Sequence, residues 1–293
     1  MTAAWWARRD PAELRVQRVA LALLVYTSFR SLPRFSAQPF PVGIANWVDF
    51  TFLASPRAAL WAEVGLLVAL GCYVVGRAMP VALTVMTVLY TAAGALAYSQ
   101  GALQHRTQLL ALVLLAQLVA YVQATVTGRP PRIGHTLATH YSLEVIAAAY
   151  VLSGLMKIVL SGGKWLEQVP MVAIDIAKAH GQVFCTTGEP GLVARADAIG
   201  AAIMASPNLT RTLFAPAVLF ELAAGTAVFG RTLAAVVGLC LVAMHRSIDV
   251  VMAIRFWENE ALLLIYFVNV PYLLVCTARV LLWRRRSAGD AQR

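Results

Sequence analysis

An all-α, multi-pass membrane protein is the fold class this sequence predicts, on three observations: apolar content, scarcity of charge and the length of the apolar runs. Of 293 residues, 60% are hydrophobic and 13% are charged, about half the charged share of a soluble domain. Mean hydropathy is +0.70. A bilayer core of ~30 Å needs roughly 20 apolar residues in a helix, and runs of that length recur along the chain. Backbone polar groups cannot stay unpaired in lipid, so these runs are expected to be helices.

About eight spans are expected, near 14–32, 57–76, 80–99, 105–124, 137–160, 210–229, 231–250 and 259–282. Turn-like stretches, "GRAMP", "TGRPPR" and "FGR", separate them. The expected organisation is a single integral membrane domain over 1–293. A helical bundle occupies 10–283 and a basic tail occupies 284–293. No small-residue cleavage site follows the first apolar run, so no cleaved leader is expected. The longest interruption, 161–209, contains "PGLVARADAIGAAIMAS". Its apolar Leu192, Ala196, Ile199 and Ile203 recur at helical spacing. That fits a helix lying in the membrane interface, and equally a plain connecting helix.

Positive charge orients the spans. With both termini inside, the segments assigned to the inner side hold the whole net charge of +10, and the remainder of the chain is balanced. The arginines therefore read as topology determinants, and nucleic acid is not an expected partner. Loop 161–209 then faces outward, and the expected location is a bacterial cell (inner) membrane with cytoplasmic termini. Cys72, Cys240 and Cys276 lie in apolar segments, Cys185 lies in a loop, and none forms a CxxC pair. A disulfide framework, a thioredoxin-like site and a zinc site are all disfavoured, and no metal is expected.

The polar residues inside apolar runs carry the functional signal. Lys157 stands near the outer end of the fifth run, in "YVLSGLMKIVLSGGKW". His105 opens the fourth, His245 and Arg246 lie in the outer part of the seventh, and Glu63 lies in the outer part of the second. Glu221 is in the middle of the sixth, where a carboxylate must meet a partner or a cavity. Each has a plain reading. Lys157 can snorkel. Arg246 and Asp249, three apart on one helix, can pair with each other. Tyr150 and Trp165 can be interface aromatics. Together they suggest more. An amine in an apolar setting gives up its proton more readily, and an adjacent imidazole can relay it. Lys157 with His105 or His245 is a candidate general-base unit.

These stretches resemble a known family. "YVLSGLMKIVLSGGKW" is similar to the Tyr-x-x-(Ala/Ser)-Gly-x-x-Lys-…-Trp segment of vitamin K-dependent gamma-carboxylases and of their bacterial relatives, the horizontally transferred transmembrane (HTTM) proteins. "LFELAAGTAVFGR", "AMHRSIDVVMAI" and "QHRTQLLALVLL" resemble three further family segments, in the family's order, over about residues 10–280. Gln104 stands where an Asn is common, and Met156 replaces one of two adjacent lysines. The resemblance implies a short bacterial member without the large extracytoplasmic domain. It implies Lys157 as the base toward vitamin K hydroquinone, with His105 and His245 as neighbouring catalytic histidines. Glu63, Tyr150, Trp165, Glu221 and Arg246 are the expected cofactor-binding set. The implied cofactors are a quinol (menaquinol, or one like vitamin K hydroquinone), oxygen and carbon dioxide. The implied activity is of the lyase type: base-driven or oxidative chemistry on the extracytoplasmic side, with carboxylation or another modification of a peptide. Expected partners are membrane lipid, a quinone, and a small peptide or secreted-protein substrate. The alternative is non-catalytic, a quinone- or lipid-binding membrane subunit or a transporter, with the same residues lining a polar cavity.

Overall fold

The computed structural model describes residues 10–99 and 106–290. The chain is all-helical, with no strand among the described residues. It divides into two units: 1–146 together with 264–293, and 147–263. The second is contiguous in sequence and the first is not.

The first unit begins with α1 (Pro11–Ser31). Asp10 caps it by accepting from the Ala12 N–H at 2.8 Å, and Pro11 occupies a first-turn position where a missing N–H costs nothing. That N–H holds the Asp10 carboxyl below the usual carboxylate range, and Arg279, 2.6 Å away, adds to the effect. Ser55 caps α2 (Pro56–Val75) in the same manner, again with proline first. α2 stops at Gly76, whose φ of +82° only glycine adopts without strain. There the N–H groups of Gly76 and Arg77 both bond to the Cys72 carbonyl, closing the helix end. α3 (Met79–Ala97), α4 (Arg106–Val126) and α5 (Pro131–Leu160) follow, each packed on its predecessor as far as α4. α5 starts in the first unit and ends in the second.

Buried polar side chains link the helices of this unit. Tyr73 donates to Gln117 at 2.7 Å, and the Gln117 amide donates to Ser142 at 3.0 Å and to Tyr266 at 2.7 Å. Asn269 donates to Glu13 at 2.7 Å and accepts from Gln17 at 3.2 Å. Side-chain hydrogen bonds of this kind hold helices together where burial from water gives little drive.

The second unit takes the end of α5 and then α6 (Trp165–Gln168), α7 (Val172–Thr187), α8 (Gly191–Ala205), α9 (Pro207–Ala223) and α10 (Arg231–Met252). The segment read as a loop at 161–209 is thus mostly helical. More than one helix is expected in it; α8 has the spacing read over 191–205, and α7 is the one the apolar spacing does not locate. α7 and α8 close on Ile176, Ala196 and Ile203. α9 runs on as a 3-10 turn over Ala224–Phe229. α11 (Trp257–Tyr266) crosses from the second unit into the first, and α12 (Val270–Asp290) completes it. Between α11 and α12 the chain bends by 51° at Asn269, which takes a φ of +57°.

Among the described residues six helices are long and apolar enough to cross a membrane, and seven if the bent α11–α12 pair is one span. The shortfall from eight lies in α1, which forms over the expected residues but carries Glu13, Arg15, Arg18 and Arg30. Large apolar side chains face outward on these helices. Trp61 on α2 is 72% exposed and Leu160 on α5 is 77% exposed, as lipid-facing residues are. The chain is therefore of the multi-pass membrane type.

Candidate functional site

The second unit gathers most of the polar residues singled out above. Lys157 lies in the last turn of α5, with Ser153 one turn earlier on the same face. Opposite, α9 presents Glu221. The Lys157 Nζ is 2.5 Å from both Glu221 oxygens, and the Ser153 hydroxyl donates to Oε1 at 3.1 Å. Gly154 makes this approach possible. A Cβ there would lie 3.2 Å from the Cβ of Glu221 and 3.2 Å from the Leu222 side chain. The glycine thus works as a notch that admits α9. The Glu221 side chain is 6% exposed and that of Lys157 is 31% exposed, so the carboxylate is the inner member. The Trp165 ring, from α6, has its centroid 5.7 Å from Nζ, a cation–π distance.

A second pair stands beside the first. Tyr150, on α5, shares a 2.8 Å hydrogen bond with His245 Nε2 on α10. The imidazole is wedged edge-on between Tyr150 and Phe256, at centroid distances of 5.7 and 4.7 Å. Its Nδ1 is buried without a hydrogen-bond partner among the described residues. The two pairs act on each other: the Lys157 ammonium acts on His245, and the Glu221 carboxylate acts on Tyr150.

Arg246 does not pair with Asp249 along α10. It reaches α11, where Nη2 meets Glu260 Oε2 at 2.6 Å, and Asp249 instead faces Arg255 at 3.5 Å. Asn259, on α11, also lies beside Tyr150. Glu63 belongs to the first unit, where Arg30 at 2.6 Å and Tyr26 at 3.0 Å both donate to it. His105 lies outside the described residues. Among the described residues no group of three His, Cys, Asp or Glu side chains is arranged to hold a metal ion.

Of the eight residues read from the sequence, six meet in the second unit: Tyr150, Lys157, Trp165, Glu221, His245 and Arg246. Three participants were not singled out. Ser153 is four before Lys157 within the quoted motif, a spacing that puts both on one helix face. Gly154 is the motif's glycine, and its meaning lies in the partner helix. Glu260 follows "FWEN" near the start of α11, and no local pattern ties it to Arg246.

The cluster has the parts of a proton-handling site. An amine and a carboxylate stand at transfer distance, a hydroxyl steadies the carboxylate, and an imidazole keeps one nitrogen unused. No family model, no curated protein and no solved structure matches this chain.

Proposed function

We propose that the chain is a multi-pass membrane enzyme that acts on a quinol, with menaquinol the expected form, at the Lys157–Glu221 pair. The observation that carries this reading is the contact itself: a carboxylate and an amine held 2.5 Å apart, beside the Tyr150–His245 pair, in helices of membrane-spanning length. A purely structural ion pair would not need a neighbouring imidazole with a buried, unpartnered nitrogen. The resemblance to the HTTM and gamma-carboxylase segments supports the same choice of residues.

When bound, the quinol supplies a hydroxyl proton and two electrons to oxygen-dependent chemistry. The chain's own part is to receive that proton. Lys157 first passes a proton across the short contact to Glu221, which frees the amine. The free amine then accepts the hydroxyl proton, while the Ser153 hydroxyl keeps Glu221 in place. His245, held through Nε2 by Tyr150, offers Nδ1 as the acceptor for a second polar group of the ligand. In this reading α1 completes eight spans, both termini are cytoplasmic, and the cluster opens to the extracytoplasmic side of a cell membrane. Peptide modification, carboxylation included, is the proposed downstream use.

The test is to incubate the purified protein with menaquinol and oxygen and to quantify quinone products by mass spectrometry. Wild type is expected to consume the quinol. Lys157→Arg keeps the charge but cannot release a proton, so its turnover is expected to fall about 10²–10⁴-fold, the usual weight of a general base. Turnover in Lys157→Arg near that of wild type overturns the base role.

A further inference from the structure

The first unit contains a cation that has no ion-pair partner among the described residues. Arg18, on α1, lines a cavity together with Gln17, Tyr73, Gln117, Tyr121 and His135. Its empty volume is ≈ 250 Å³ counting the mouth, and the enclosed part has room for a particle of about water size. Arg18 Nε and Nη1 are both buried, and neither has a hydrogen-bond partner among the described residues. A charge inside a helical membrane unit normally pairs with another charge or with backbone carbonyls. Neighbouring charges obey that rule: Glu63 has Arg30, and Asp10 has Arg279. Arg18 does not.

Its surroundings explain why a protein partner is missing. The guanidinium lies across Gly76, so close that a Cβ there would overlap Nη1. It therefore sits at the C-terminal end of α2, whose dipole offsets part of its charge. The terminal carbonyls are nevertheless already used, since Cys72 and Tyr73 accept from Gly76 and Arg77. The other groups that feel the Arg18 charge are Tyr73, Tyr121 and His135, none of them an anion. Tyr121 and His135 are hydrogen-bonded to each other. What remains is a positive charge bordering a partly polar cavity with room for one small particle, with two buried N–H groups that have no hydrogen-bond partner among the described residues. Water would satisfy the donors but leave the charge.

We propose that this cavity is a binding site for a monatomic anion of the chloride class, held by Arg18 Nε and Nη1. The limited room selects a halide over phosphate, whether free or on a lipid headgroup. The site is independent of the chemistry proposed at Lys157.

The test uses the full chain in detergent. Thermal unfolding is followed at constant ionic strength in potassium chloride, bromide or gluconate, with inorganic phosphate and phosphatidylglycerol micelles as separate arms. The melting temperature is expected to rise with chloride and level off, to do so with bromide, and to stay flat with gluconate. Broadening of the ³⁵Cl resonance by wild type should be reversed by bromide. Both effects should vanish in Arg18→Gln and persist in weakened form in Arg18→Lys. Should Arg18→Gln fail to fold, the bromide competition on wild type still decides. Absence of a saturable halide effect in wild type, or an undiminished one in Arg18→Gln, overturns the proposal. A saturable effect of phosphate or phosphatidylglycerol in place of chloride overturns it as well.

Discussion

At the scale of single residues, the Lys157–Glu221 pair makes the clearest stability prediction. Removing one partner of a buried ion pair leaves the other uncompensated, at a cost of about 3–5 kcal/mol, whereas replacing both with apolar residues is often neutral. Glu221→Leu should therefore lower the melting temperature strongly. Lys157→Met should lower it too, because it strands the more buried carboxylate. The double variant should recover most of the loss, and additive losses in a double-mutant cycle would show that the pair is not coupled. Asp10 gives a second prediction. Its carboxyl is held below the usual range in the folded state, so its support of α1 is present above the unfolded carboxylate pKa and is lost as pH falls through the folded one. The protection factors of the amides at Ala12–Leu14, taken against the intrinsic exchange rate at each pH, should fall on acidification, and Asp10→Ala should show the lower protection already at neutral pH. Lys157, Glu221 and His245 were legible in the sequence because a polar residue in an apolar run is conspicuous. Their pairing was not, since Lys157 and Glu221 are 64 residues apart and no local rule fixes which helices meet.

At the scale of elements, helix positions follow closely from apolar run length and from proline, serine and glycine at the ends. Pro56 after Ser55, and Gly76 after Val75, bound α2 within one residue of its expected limits. The misses are also physical. The interruption at 161–209 was harder to read because α7 and α8 are short and only moderately apolar, so no membrane-length run marks them. The break at Asn269 falls inside one apolar run, and composition does not register a change of backbone angle at a single residue. The contact between α5 and α9 depends on a missing side chain. Gly154→Leu would drive a branched group into Glu221 and Leu222, contacts already at 3.2 Å for a bare Cβ. Overpacking of this kind costs about 1–3 kcal/mol. It should also separate Lys157 from Glu221, so the variant should lose both thermal stability and quinol turnover. Gly154→Ala should lose less of each.

At the scale of the whole molecule, the distribution of charge carries the topology prediction. In a background without native cysteines, a cysteine at Gly163 should react with an impermeant reagent applied from outside, and one at Arg285 should not. Labelling of Arg285→Cys from outside would reverse the orientation and remove the proposed site from the extracytoplasmic face. The order of synthesis has its own consequence. Because the second unit is contiguous and interrupts the first, the ribosome finishes it before the first has its last helix. Glu13 and its Asn269 partner are 256 residues apart. At a synthesis rate of roughly 5–20 residues per second, α1 waits on the order of 13–50 s for that amide. Throughout that interval a carboxylate on the first helix is without the asparagine that later binds it, and any chain truncated before residue 269 stays in that condition.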